Sequence, residues 1–212
     1  MLLVGQYDSP YVRRVAVSLH LLGLPFERSP LSVFGDFDAM RRRNPLGRVP
    51  VLVLDDGEVL VDSAAILDHL DELAGPERAL LPRSGAERRR ALQVVALATG
   101  CSDKAAAMVY ERARRAPGKV DEAWLRRLRI QLEGGLAALE RLRPAPWFLG
   151  GGFGQADVTA ATMLAFLRLA LPELAAPERL PGLNRHADAC EALPAFVATR
   201  PGPDEVPGGP AA

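Results

Sequence analysis

The sequence predicts a mixed α/β unit followed by an all-helical one. Three observations carry this reading. Short apolar runs bounded by turn signals occur only in the first 75 or so residues, they alternate there with segments of helical periodicity, and strand signals vanish from Ser84 onward. With 212 residues, 49% of them apolar, the chain can bury a substantial core in one large domain or two modest ones.

Residues 1–5 form a continuous apolar run, short enough for a strand buried on both faces. Val12, Val15, Ala16, Leu19 and Leu22 then trace one face of a helix that stops at Gly23, a good C-terminal cap. Residues 26–31 read as a second strand, which Pro30 moves toward a sheet edge. Strand, helix and strand in so few residues imply a right-handed parallel crossover. A polar stretch containing Arg41, Arg42 and Arg43 follows. Two apolar runs then flank Asp55, Asp56 and Gly57, the signal of an antiparallel hairpin. Ser63 is placed as the cap of a helix marked by Ile66, Leu67, Leu70 and Leu73 and ended by Gly75. A parallel half, an antiparallel half and a closing helix make the element order of a thioredoxin-like domain over residues 1–75.

Two prolines break the pattern over residues 76–83, which read as a linker. Ser84 and Glu87 have the spacing of a capping box and open a C-terminal helical bundle over residues 84–199. Ala91, Val94, Val95, Ala98, Cys101, Ser102, Ala105, Met108 and Val109 form one stripe of a long helix, so Cys101 reads as a packing residue rather than a reactive thiol. Pro117 and Gly118 interrupt it. Further helices are expected over residues 121–143, over 156–171 (apolar almost all round, as at the centre of a bundle) and near 183–190. The tail, residues 200–212, is rich in Pro and Gly and lacks the apolar content to order itself.

Composition excludes several classes. The 26 basic residues are balanced by 26 acidic ones, so no overall field favours nucleic acid or an anionic membrane. The runs Arg41 to Arg43 and Arg88 to Arg90 read as solvated helix faces, with no interleaved aromatic residues to stack bases. Cys101 and Cys190 make no CxxC pattern, and His20, His69 and His186 are scattered, so no metal is expected. No apolar run is long enough to cross a bilayer, and the start MLLVGQY lacks a basic region before a long apolar segment; a cytoplasmic location is expected.

Four stretches occur in a telling order: SPYVRRV at the first helix, NPLGRVPVL before the third strand, DSAAILDHL after the hairpin, and FLGGGFGQADV opening the central helix. Together they make the chain resemble the cytosolic glutathione transferase family, in its bacterial serine-type form, over nearly its whole length. The resemblance implies that the first unit binds glutathione as co-substrate, with a hydroxyl near the start of the first helix holding its sulfur as a thiolate. Ser9 matches that position. Tyr7, at the end of the first strand, is the runner-up, and Tyr11 has a hydroxyl that can swing inward. Val49 and Pro50 resemble the family's cis-proline pair, whose exposed backbone pairs with the cysteinyl part of the ligand like an added strand. Asp62 and Ser63 match the residues that hold the γ-glutamyl group, Ser63 and the helix amides suiting its carboxylate and Asp62 its ammonium. Arg48 points either to the glycine carboxylate or to solvent. Asp103 is expected to reach the ligand of a partner chain in a two-fold homodimer, and Tyr11 and Met108 to line the electrophile pocket. One departure concerns folding: Gly154 stands where the family has Ser or Thr, three residues before Asp157, whose carboxylate is expected to reach back to a backbone amide.

The chemistry asked of Ser9 is of ordinary size. A thiol with a pKa of roughly 8.5 needs about 2.7 kcal/mol of differential stabilisation to ionise two pH units lower. A charge-assisted hydrogen bond of about 1.5 to 3 kcal/mol and a helix N-terminus at about 0.3 to 1 kcal/mol together supply it. Ser before Pro at a helix start is equally a plain N-cap, and the local sequence leaves both roles open. The function that follows is thiolate attack by glutathione on a small electrophile. Serine at position 9 disfavours thiol–disulfide exchange, because a hydroxyl forms no mixed disulfide. The alternative is a glutathione-transferase-like binding or regulatory protein with little turnover. A glutathione-dependent isomerase is less supported, since the serine-rich loop typical of that branch is missing.

Overall fold

The computed structural model describes residues 1–142 and 144–205. Its first unit runs β1 (Leu2–Val4), α1 (Pro10–Leu21), β2 (Glu27–Ser29), α2 (Phe37–Arg43), β3 (Val51–Val53), β4 (Val59–Val61) and α3 (Ser63–Ala74). The sheet order is β2-β1-β3-β4, with β1 parallel to β2 and antiparallel to β3, and β3 antiparallel to β4. Alternation along the strands builds two layers. Leu3, opposite Leu52, packs with Val12, Val15, Leu19, Ile66 and Leu70 of α1 and α3. Val4, opposite Val51, meets Met40 of α2 on the other face.

Two local expectations are refined. The run Arg41 to Arg43, read as a solvated helix face, lies on α2; Met40 is the helix's only buried residue, so one apolar position in seven left no periodicity from which to place its bounds. The cap of α3 is Asp62 rather than Ser63. Asp62 sits at φ 71° and its Oδ1 accepts the Ala64 amide at 2.8 Å, while the Ser63 hydroxyl is taken by a side chain from α1.

The second unit contains α4 (Gly85–Arg114), α5 (Glu122–Arg141), α6 (Gln155–Ala170), a 3-10 turn (Pro172–Leu174), α7 (Pro181–Glu191) and α8 (Pro194–Val197). The stripe Ala91, Val94, Ala98, Cys101, Ala105 and Met108 of α4 is buried against α5 and α6, and α6 lies at the centre with all but four of its 16 residues buried. The expected capping box at Ser84 does not form: Ser84 makes no side-chain cap, and the chain enters α4 through Gly85 at φ 79°. Among the described residues no helix is long and apolar enough to cross a membrane.

The units join along α1. Val17 belongs to the helical core, and the Ser18 hydroxyl meets Gln155 Oε1 at 3.1 Å. The segment before α4 passes so close to α6 that the Gln155 amide donates to the Leu80 carbonyl at 2.8 Å. A Cβ on Gly154 would lie 2.7 Å from that oxygen, which gives the glycine its reason. Arg13, only 3% exposed, donates from both terminal nitrogens to Glu191 at 2.6 and 2.8 Å and from Nε to the Thr199 carbonyl at 2.9 Å. Glu191→Ala strands this cation, and a loss of about 2 kcal/mol in urea unfolding is expected, the pair being slightly solvated.

The tail expected to lack order from residue 200 divides in two. Residues 206–212 lie outside the described residues. Glu205 is buried, accepts the Tyr7 and Gly202 amides at 3.3 and 2.8 Å, and pairs with Arg28. A carboxylate with three donors needs little apolar area to be held, so the composition of the tail misled.

Candidate functional site

A cleft of about 330 Å³ opens where α1, the α2–β3 connection, the start of α3 and the middle of α4 converge. Helix α1 brings Tyr11 and Arg14, the connection brings Asn44, Arg48, Val49 and Pro50, the end of β4 brings Asp62 and Ser63, and α4 brings Thr99 and Asp103. A second hollow of about 290 Å³, between α5 and the segment that leads from the 3-10 turn to α7, is lined by Glu133 and Arg179 among others. Those two side chains already pair with each other at 3.1 Å, whereas the cleft contains a buried donor with no partner.

The local chemistry explains the cleft's floor. Asn44, 2% exposed, accepts the Leu46 amide at 3.0 Å and donates to the Arg48 carbonyl at 2.8 Å, which folds the loop back on itself. Gly47 has φ 62°, and a Cβ there would lie 2.5 Å from the Phe37 ring, so glycine is required on both counts. The Val49–Pro50 bond is cis, and β3 starts directly after it.

Each residue singled out in the sequence has a definite place. Arg48, Val49, Pro50, Asp62, Ser63, Tyr11 and Asp103 meet at the cleft. Asp103 lies on the cleft of its own chain and accepts a hydrogen bond from the Tyr11 hydroxyl. Burial first, and then this hydrogen bond to a carboxylate, push the Tyr11 phenol well above its usual pKa. Tyr7 does not reach the cleft. It is buried in the sheet core with the Arg28 guanidinium 3.6 Å from its ring centre, and desolvation raises its pKa too. Met108 is also corrected: at 1% exposure it points into the helical core, because it continues the inward stripe of α4. Ser9 is half-buried at the N-terminus of α1 and does not line the cleft, though Tyr11, two residues on, does. Its Oγ accepts the Val12 amide at a long 3.4 Å. Among the described residues that hydroxyl donates to nothing.

Sequence reasoning missed Arg14, Asn44 and Thr99. For Arg14 a signal existed: it stands three residues after Tyr11 and so shares its helix face. It is 3% exposed, donates to the Ser63 hydroxyl oxygen from Nε at 3.1 Å and Nη2 at 2.6 Å, and leaves Nη1 unpaired. Desolvation lowers its pKa to about 10, so it stays a cation at neutral pH. The cleft thus holds two guanidinium groups, Arg14 and Arg48, and two carboxylates, Asp62 and Asp103. Such a set suits a small zwitterion that carries both carboxylate and ammonium groups.

Neither cysteine belongs to the site. Burial pushes the Cys101 thiol up to about 12, and Cys190 is raised as well, first by desolvation and then by Asp157. Both are buried and free, so a colorimetric disulfide reagent at pH 8 is expected to find no reactive thiol in the native protein and two per chain after denaturation. Among the described residues no group of three or more His, Cys, Asp or Glu side chains is placed to hold a metal ion.

Fold and cleft together define a class: a thioredoxin-like sheet unit docked on a helical bundle, with a charged cleft beside a cis-proline loop. Residues 3–78 match the family description "Glutathione S-transferase, N-terminal domain" and residues 122–189 match "Glutathione S-transferase, C-terminal domain". The maleylacetoacetate isomerase of Pseudomonas aeruginosa is 33% identical over 95% of this chain and 96% of its own length. The Escherichia coli protein YibF, described as GST-like and uncharacterized, is 37% identical over 59% of this chain and 62% of its own length. A glutathione transferase family member from Pseudomonas fluorescens Pf-5, solved with bound glutathione, has a TM-score of 0.85 and 37% identity, covering 95% of this chain and 98% of that one. The chain belongs to the glutathione S-transferase family.

Proposed function

We propose that the protein binds glutathione in the cleft and activates its thiol, as a thiolate, for attack on a small electrophile. The observation that carries the reading is the convergence of the cis Val49–Pro50 backbone, the start of α3 and four opposite charges on one cleft. Asp62 and Ser63 take the γ-glutamyl ammonium and carboxylate, Val49 pairs with the cysteinyl backbone, and Arg48 takes the glycine carboxylate. Ser9 donates to the sulfur. Two observations support that role over Tyr11: the Ser9 hydroxyl proton is uncommitted, whereas the Tyr11 proton is held by Asp103. A cap and a donor are compatible, because a hydroxyl oxygen can accept from Val12 and still donate its own proton to another group. The homodimer expected of the family, packed along α4, belongs to the same reading, and sedimentation at micromolar concentration tests it.

Calorimetric titration with glutathione, followed by conjugation assays on a panel of electrophiles, tests the function. Absence of binding at millimolar glutathione would remove it, and binding without turnover on any electrophile would favour the non-catalytic alternative. A second reading, glutathione-dependent isomerisation, is favoured by the relative matched over 96% of its length. The two differ in product: a conjugate retains glutathione, whereas an isomerase returns it unchanged.

A further inference from the structure

The loop that carries Ser9 lies between elements rather than in one. Strand β1 ends at Val4 and α1 starts at Pro10, and between them the Ser9 amide makes a turn bond to the Gln6 carbonyl at a long 3.3 Å. Firmer ties come from the far end of the chain. The Tyr7 amide donates to Glu205 Oε1 at 3.3 Å, and Glu205 also pairs with Arg28 of β2, whose guanidinium lies 3.6 Å from the centre of the Tyr7 ring. Tyr7 is thereby held by backbone and ring together. Glu205 is 7% exposed, and its other oxygen accepts the Gly202 amide at 2.8 Å. Desolvation first, and then the charge of Glu205, raise the pKa of Asp8, so this carboxylate also acts on the residue next to Ser9. At the start of the same segment the Thr199 carbonyl accepts from Arg13 Nε of α1 at 2.9 Å. Residues 199–205 are thus pinned to residues 7 and 13, one on each side of Ser9. A buried ion pair contributes little net stability, whereas a hydrogen bond to sulfur weakens steeply once its angle fails.

We propose that the Arg28–Glu205 pair positions the thiolate donor: by clamping Tyr7 it fixes the Ser9 hydroxyl at the angle that reaches the sulfur of bound glutathione. The inference rests on the reading of Ser9 above and adds to it two residues, neither of which lines the cleft, so both act through Ser9 rather than on the ligand. The sign of the effect separates this role from a direct influence of charge. Removing a carboxylate near the sulfur favours the thiolate and lowers the thiol pKa, whereas releasing the Ser9 loop raises it. The loop's own carboxylate, Asp8, is common to every variant below.

Ultraviolet difference absorbance of the bound thiolate, followed against pH on the full chain saturated with glutathione, tests this without requiring turnover. Glu205→Ala is expected to raise the pKa of the bound thiol by about 0.5 to 1 pH unit, part of the rise expected of Ser9→Ala, with glutathione affinity unchanged. In the Ser9→Ala background the same substitution should add nothing, because no hydroxyl remains to be aimed. Glu205→Gln keeps one acceptor oxygen but not the charge that holds Arg28. It should move the pKa the same way by less, and it serves where the alanine variant does not fold. A merely structural tie predicts an earlier urea midpoint with the thiol pKa unmoved. That result, a lowered pKa in a folded Glu205 variant, or a rise that persists without Ser9 would overturn the proposal while leaving the role of Ser9 intact. A wild type whose bound thiol ionises no lower than that of free glutathione would remove the Ser9 reading and the proposal together, and absence of binding would remove the glutathione reading itself.

Discussion

Ser9→Ala is expected to lower turnover by roughly 10- to 150-fold, the loss of one hydrogen bond to a charged acceptor at about 1.5 to 3 kcal/mol, while the protein stays folded. The stability change should stay within about 1 kcal/mol, since the cap bond that is removed is long, at 3.4 Å. The variant also carries a pH signature. Without the donor, the bound thiol ionises about one to two pH units higher, so its rate should recover toward wild type as pH rises above about 8.5. Ser9→Thr keeps the hydroxyl and should retain much of the activity. A pH–rate profile unchanged from wild type would assign Ser9 to capping alone. Tyr11→Phe gives the contrast: the proton it removes is held by Asp103, so the ionisation of the thiol should stay where it is.

Asp157→Ala is expected to cost roughly 3 to 5 kcal/mol, the largest stability effect in the molecule. The carboxylate is fully buried and accepts the Gly154 and Phe148 amides at 3.0 Å each and meets His186 Nε2 at 2.9 Å. Through these bonds it ties the start of α6 to the aromatic loop of Trp147, Phe148 and Phe153 and to α7. Alanine leaves the Gly154 and Phe148 amides and the His186 ring nitrogen without this partner. Urea unfolding should show an earlier midpoint, and glutathione affinity of the folded fraction should be unchanged, because the cleft is built from other residues. Weaker binding with unchanged stability would contradict this division between scaffold and site.

The amino-acid sequence by itself determined the element order, the hairpin, the inward faces of α1 and α4 and the motif positions around the cis-proline. These features are local: strand and helix periods and turn chemistry act within a few residues, so they can be read along the chain. The extent of α2 escaped because a single buried methionine gives no period. Contacts distant in the chain were left to the tertiary structure. Arg14 takes the Ser63 oxygen from 49 residues away and so passes the α3 cap to Asp62. Asp103 accepts the Tyr11 hydroxyl hydrogen bond from 92 residues away, and Met108 turns inward because α5 and α6 pack there. Arg13 and Arg14 are the same residue type side by side in the sequence; only packing gave one a carboxylate and left the other's charge facing a cleft, because a side chain's partners are set by what the folded chain brings within hydrogen-bonding reach.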